Sequence, residues 1–184
     1  MTNLKNLFAG AAILTTTAGA AFAQDTAAPE TATRIANGTQ FGAWTVSCEA
    51  LAVNETACVL SQRLVRRSDN AFLAELLAFQ SASGDRAFLV ARVPNGVYFP
   101  AGFAMRPAEG EAEETRFVWQ SCSSELCEAL IELDEETAEE LEGAERLVAG
   151  YRPALGAEPL VFALNVQGLQ DGIDALANSR KPAE

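Results

Sequence analysis

Cysteine is the residue type with the most definite chemistry in this sequence. Its four copies form two local pairs, Cys48 and Cys58 with nine residues between them, and Cys122 and Cys127 with four. Four cysteines allow three disulfide connectivities, and a sequence does not decide among them. Since closing a short loop costs the least chain entropy, we predict the disulfides Cys48–Cys58 and Cys122–Cys127. A redox-active pair or a four-thiolate zinc site would need Cys-x-x-Cys spacing, so a structural role is favoured.

Side chains for nucleophilic or acid-base catalysis are scarce. The 184 residues contain no His and only two Lys, Lys5 and Lys181. Without His, the usual Ser-His and Cys-His nucleophiles, His-ligated zinc and haem are excluded. The glycine-rich phosphate loops and the Gly-x-Ser-x-Gly nucleophile motif are missing as well. We therefore predict no catalytic residue and no cofactor, with a carboxylate-based small-ligand binder or hydrolase in the periplasm as the alternative.

Carboxylates are abundant. Asp and Glu number 25 against 13 Lys and Arg, which gives a formal charge of -12, and 14 of the 25 lie between Glu109 and Glu145. The span Asp134 to Glu145 has the length of an EF-hand calcium loop, but Glu139 stands where that loop needs Gly. A solvent-exposed acidic helix face is favoured, so we predict no metal site. The negative charge also argues against a nucleic-acid partner.

Two segments have the composition of a protein-binding surface. The first is basic and contains Arg63, Arg66 and Arg67; the second is aromatic and contains Tyr98, Phe99 and Phe103. We predict an unidentified protein partner, and we favour the aromatic segment as its site. The alternatives are that the arginines protect the edge of a sheet and that the aromatic residues cap the core. The oligomeric state is left open.

The amino terminus has the pattern of a secretory signal. Lys5 precedes an apolar stretch, and Ala21-Phe22-Ala23 is a small-x-small cleavage site. We predict cleavage after Ala23 and a periplasmic or secreted protein without a transmembrane segment, because the apolar stretch is too short for an anchor. Residues 24–37 are then a flexible lead-in, residues 38–177 a single domain and residues 178–184 a polar tail.

Apolar residues alternate with polar ones along most of that domain, as in half-buried strands. Trp44 and Trp119 lie in phase with apolar neighbours, which favours a core role for both over ligand stacking. Short strands are predicted at 41–48, 57–65, 71–80, 87–93, 116–121, 127–133, 146–151 and 160–166, with turns around a short segment at 97–99. For 71–80 a helix is the alternative, because its Ala and Leu content favours one, whereas its length and the turn at Ser83-Gly84-Asp85 favour a strand in a hairpin.

Two segments have helical character. Residues 133–148 carry apolar side chains at steps of three to four residues, with Asp134 as a predicted N-cap and Gly143 as a predicted stop. A second, short helix is predicted at 171–177. This set of elements indicates an all-β protein, an immunoglobulin-like β-sandwich with one or two short helices, with a β-barrel as the alternative.

An ordered set of short motifs resembles one family. The motifs are Trp44–Cys48, Ala57–Gln62, Val93–Val97, Pro100–Gly102, Cys122–Ala129, Val166–Leu169 and Ile173–Leu176. Together with the signal peptide and the two close cysteine pairs, they are similar to the invasion-associated locus B family of alphaproteobacterial exported proteins. The resemblance implies an immunoglobulin-like exported domain without known enzymatic activity, linked in pathogens to entry into host cells.

Overall fold

The computed structural model describes residues 35–180 except 54, 82, 110–112 and 145. The predicted signal peptide and cleavage site lie outside these residues. The described part contains ten strands, a short 3-10 helix at Phe99–Ala101 and two α-helices, α1 (Glu135–Gly143) and α2 (Leu169–Arg180). The strands are β1 (Gln40–Phe41), β2 (Trp44–Ala52), β3 (Glu55–Val65), β4 (Phe72–Gln80), β5 (Ala87–Pro94), β6 (Phe103–Pro107), β7 (Thr115–Cys122), β8 (Leu126–Leu133), β9 (Leu147–Tyr151) and β10 (Leu160–Leu164).

The strands form two layers that share one strand. In the described residues every pairing is antiparallel, and the hydrogen-bonded order is β1-β2-β3-β4-β5-β8-β7-β6-β9-β10. Strand β7 pairs with β6 through Thr115–Phe117 and with β8 through Val118–Cys122, with a register shift between Trp119 and Ser121. A strand that changes sheets at such an irregularity forms the corner of a sandwich. The predicted all-β sandwich with short helices is confirmed.

Alternating side chains from both layers form one core. Trp44 and Leu76 from one layer and Phe103 from the other are fully buried, and all three belong to the same cluster. The Tyr151 hydroxyl donates a hydrogen bond of 3.4 Å to the Leu73 carbonyl, which links β9 to β4 across the sandwich. The core role predicted for Trp44 is confirmed, and Trp119 packs against the same cluster while remaining partly exposed.

Both disulfides join neighbouring strands within a hairpin. Cys48 lies opposite Cys58 in the β2–β3 pair, and Cys122 lies opposite Cys127 in the β7–β8 pair. The Cα–Cα distance is 4.0 Å in both cases. The predicted connectivity is confirmed. The register of each hairpin places its two cysteines directly opposite each other, which allows the disulfide to form.

Helix α2 packs over the layer formed by β1 to β4, and three glycines permit its close approach. A Cβ atom on Gly42 or Gly168 would overlap the backbone of the opposite segment, and one on Gly172 would come within 2.5 Å of Leu60. Ile173 and Leu176 from this helix are buried in the core. The helix is therefore a structural part of the sandwich, and it runs from 169 to 180, longer than the predicted 171–177.

Four local features of the structure differ from the predictions. The strand predicted at 41–48 is interrupted after Phe41, because Gly42 has a positive φ of 56° and turns the chain before β2 begins. The segment at 97–99 leads into a 3-10 helix with Pro100 in its first turn. Strand β6 was not predicted, although Phe103 and Met105 alternate with Ala104 in the period of a strand. Ile35 and Asn37, within the predicted lead-in, already contact the domain.

Candidate functional site

The predicted aromatic segment is held in place at both ends. The Asn95 amide donates a 2.8 Å hydrogen bond to the Glu125 carbonyl in the β7–β8 turn, and the Tyr98 amide donates one of 2.8 Å to the Arg152 carbonyl after β9. The amide of Gly102 closes the 3-10 helix on the Phe99 carbonyl at 3.0 Å. The segment is thus tied to both layers by its backbone, which fixes the side chains that it carries.

Phe99 is the exposed aromatic residue of this segment. Its ring stands edge-on to Trp119 with the centroids 5.9 Å apart, a favourable arrangement for two aromatic rings. The Phe99 side chain is nevertheless 54% exposed, whereas Tyr98 and Trp119 are half-buried. We refer to Tyr98, Phe99 and Trp119 as the aromatic patch.

Phe103 does not belong to this surface. The prediction that it forms part of a binding site is corrected, because Phe103 is fully buried as the first residue of β6. Its ring packs edge-on against Phe117 at 4.9 Å and lies 6.3 Å from Phe162. Phe103 is therefore a core residue, as the alternative stated. Phe99 remains the candidate contact residue, because its aromatic side chain is exposed on a segment held by backbone hydrogen bonds.

The three predicted basic residues do not converge on the aromatic patch through any described contact. Arg63 lies over the ring of Phe72 at 4.4 Å, and Arg66 forms an exposed ion pair of 3.1 Å with Asp69 in the turn between β3 and β4. Arg67 is also exposed in that turn. Such a turn fits the alternative of a charged, soluble hairpin end, since exposed ion pairs contribute little to stability.

A groove that the sequence did not predict adjoins the aromatic patch. It has a volume of about 310 Å³ and lies on the outer face of β6, β9 and β10. Ala101 and Gly102, the second and third residues after Phe99, form part of its wall, and Arg106 and Arg152 also line it. The groove is hard to predict from sequence because it depends on which strands become neighbours, and β6 and β9 are separated by two strands and a helix along the chain.

The carboxylates of the described residues do not gather into a metal centre. In that part of the chain no cluster of three or more potential metal ligands is present. Hydrogen bonds from Thr137 lower the pKa of Asp134, which caps α1 through a 2.9 Å bond to the Thr137 amide. Hydrogen bonds from Ser83 and Ser81 lower the pKa of Asp85, whereas burial raises the pKa of Tyr151. Each shift has a structural cause within the fold.

These features define a class of protein: a disulfide-linked, antiparallel β-sandwich that presents an aromatic patch beside a shallow groove. No helix in the described ranges is long and apolar enough to cross a membrane. The sequence profile of the invasion associated locus B (IalB) protein family matches residues 44–177, and the chain belongs to that family. The resemblance stated from the sequence motifs is thereby confirmed.

A solved structure supports the same fold. The chain is similar to the crystal structure of invasion associated protein B from Bartonella henselae, with 18% sequence identity and a TM-score of 0.60. The match covers 75% of this chain and 92% of that protein. At this identity the likeness concerns the fold alone. The search of curated proteins finds no match for the sequence.

Proposed function

We propose that this member of the IalB family is an exported, non-catalytic protein that acts by binding another protein through the aromatic patch. The observation that carries the proposal is the position of Phe99, a large apolar side chain that is 54% exposed on a segment tied down at both ends. An exposed aromatic side chain on a rigid support contributes contact area without a large loss of conformational entropy on binding.

The composition of the chain supports a binding role over catalysis. A protein without His has few ways to assemble a nucleophile, a proton carrier of suitable pKa and an orienting group. A carboxylate-based site would need two or more converging acids. The carboxylate that lines the groove is Glu114, and it forms an ion pair of 3.3 Å with Arg116.

The paired cysteines support an extracytoplasmic location for the protein. Two disulfides persist in oxidising compartments such as the bacterial periplasm, and the described cysteines are all paired. We therefore place the protein in the periplasm or outside the cell. The family name refers to invasion, and we propose entry into host cells as the wider function of the family.

The test compares in situ crosslinking of the unaltered exported protein with that of the Phe99→Ser variant. We expect the variant to lose at least one crosslinked protein that the unaltered chain captures, because the apolar contact at the centre of the patch is gone. The matched control is Leu51→Ser on the β2–β3 hairpin, since Leu51 is 60% exposed and lies in another part of the surface.

Thermal denaturation of both variants separates binding from stability. Phe99→Ser removes one aromatic pair and half-buried apolar area, so its stability should fall by about 1 kcal/mol. A folded Phe99 variant that still captures every partner of the unaltered chain would show that the aromatic patch is not the binding surface.

A further inference from the structure

The groove beside the aromatic patch combines a small-residue floor with cationic walls. Strand alternation turns Met105 and Ala149 into the core, and it leaves their neighbours on the outer face of the second layer. Gly150 is required there, because a Cβ atom would come within 2.5 Å of the Leu160 carbonyl oxygen. Glycine therefore lets β10 pair closely with β9, and it adds no side chain to the floor of the groove. The outward residues that line it include Ala104, Arg106, Val148, Gly150, Arg152 and Val161.

The two arginines of the groove have no carboxylate partner among the described residues. Arg106 donates a hydrogen bond of 3.3 Å to the carbonyl of its own neighbour, Pro107, and Arg152 forms no described ion pair. Arg63 and Arg67 likewise form no described ion pair, but neither of them lines the groove. By contrast, the arginines that form ion pairs with acidic residues are Arg66, Arg86, Arg92, Arg116 and Arg146.

The strand register sets the spacing of the two cations. Arg106 lies opposite Val148 in the β6–β9 pair, and Arg152 follows Val148 by four residues along the direction of β9. Four residues of extended chain span about 13 Å. A second extended chain lying along β9 would therefore bring residues that are four positions apart next to Arg106 and Arg152.

We propose that the groove binds an extended, acidic segment of a protein partner, with carboxylates four positions apart that pair with Arg106 and Arg152. The inference rests on the proposed binding function and names the chemistry of the partner. Charge complementarity favours this occupant, since two cations without an acidic partner lie in a groove whose other lining residues are small or apolar, apart from Glu114, which is paired with Arg116. Val161, which is 65% exposed, supplies apolar contact for side chains between the two carboxylates.

The negative charge of the whole chain does not oppose this binding at contact distance. At physiological ionic strength the Debye length is about 8 Å, so distant surface carboxylates are largely screened. The groove arginines act within that distance. The described acid at the groove, Glu114, is paired with Arg116.

The test uses a fluorescent seven-residue peptide with Asp at its second and sixth positions and Val and Thr elsewhere, and the same peptide with Asn in place of Asp. The exported chain should bind the Asp peptide about tenfold more tightly at low salt, which corresponds to two partly exposed charge pairs. Replacing both arginines, Arg106→Gln with Arg152→Gln, should remove this preference.

Two controls address charge and surface polarity separately. Arg67→Gln removes an exposed arginine outside the groove and should leave the preference for the Asp peptide unchanged. Val161→Glu adds a negative charge inside the groove and should weaken binding of the Asp peptide, whereas Leu51→Glu adds the same charge at similar exposure elsewhere and should not. Circular dichroism of each variant is used to check that it is folded.

Three outcomes would overturn the inference. They are equal binding of the two peptides, an unchanged preference in the double arginine variant, and tighter binding of a sulfated oligosaccharide that depends on the same arginines. Failure here is distinguishable from failure of the proposed function. If the double arginine variant keeps every crosslinked partner while Phe99→Ser loses one, the aromatic patch binds protein and the acidic-segment assignment is wrong.

Discussion

At the scale of single residues, side-chain type and the alternation of apolar and polar residues predict burial well, and they predict exposure less well. Trp44 was expected in the core from its phase, and it is fully buried. Phe99 and Phe103 have the same side chain and lie in the same segment, yet one is exposed and the other buried. The difference arises because Phe103 begins a strand whose inward positions face the core, and the strand itself was not predicted.

Asp134 provides a residue-scale prediction about pH. Its carboxylate accepts hydrogen bonds from Thr137, which lower its folded-state pKa below the ordinary value of 3.8. The unfolded chain therefore takes up a proton at this group before the folded chain does. The stability that the carboxylate contributes is present above the unfolded pKa and is lost as the pH falls through the folded pKa.

The variant Asp134→Asn isolates this effect, since Asn caps a helix about as well as Asp and does not titrate. We expect the difference in thermal midpoint between the two proteins to be largest near neutral pH and to shrink as the pH falls below about 4. Thermal melts at a series of pH values measure it. Two curves that remain parallel through the acid range would contradict the assignment of the lowered pKa to this cap.

At the scale of elements, the contact of α2 with β1 depends on glycine. Gly168 has a positive φ of 84°, and a Cβ atom there would overlap the Phe41 carbonyl. Gly156 has a similar φ of 80° in the loop before β10, but a Cβ atom there meets nothing within 4 Å. Gly156→Ala should cost about 1 kcal/mol of unfolding free energy from backbone strain alone.

Gly168→Ala should lower the free energy of unfolding by about 3 kcal/mol or more, because displacement of α2 from the sheet adds to the backbone strain. Chemical denaturation of the two variants measures both free energies. Equal losses would mean that the close approach of Phe41 and Gly168 does not determine how the helix docks.

The disulfides belong to the same scale, since each one closes a hairpin. The sequence separations are 10 for Cys48–Cys58 and 5 for Cys122–Cys127. In the chain-entropy model these loops correspond to about 3 and about 2 kcal/mol of stabilisation. Replacing Cys48 and Cys58 together by Ala should therefore lower the unfolding free energy slightly more than replacing Cys122 and Cys127, with denaturant titration as the measurement. The opposite order would indicate that packing of the fully buried Cys127 outweighs loop entropy.

At the scale of the whole molecule, the sequence predicted the fold class and most strands, because period and turn residues are local signals. It did not predict that β6 pairs with both β7 and β9, or that β7 crosses between layers. The β6–β9 pairing joins residues distant along the chain. It forms the groove, and so the arginines at 106 and 152 carried no sequence signal that could bring them together.

Export is the prediction that concerns the whole chain. If residues 1–23 are a signal peptide, the protein recovered from the periplasm or the medium begins at Gln24, and intact mass spectrometry will show this together with the loss of two hydrogens per disulfide. Ala23→Phe places a large side chain at the cleavage site and should leave the unprocessed chain, whereas Ala27→Phe lies beyond the site and should not. An intact Met1 terminus in the exported pool of the unaltered protein would contradict the prediction. A variant that is not exported stays in the reducing cytoplasm and lacks both disulfides, which lowers its stability. A variant that is exported but not cleaved keeps both disulfides. The disulfide content of Ala23→Phe therefore shows whether export or only cleavage has failed.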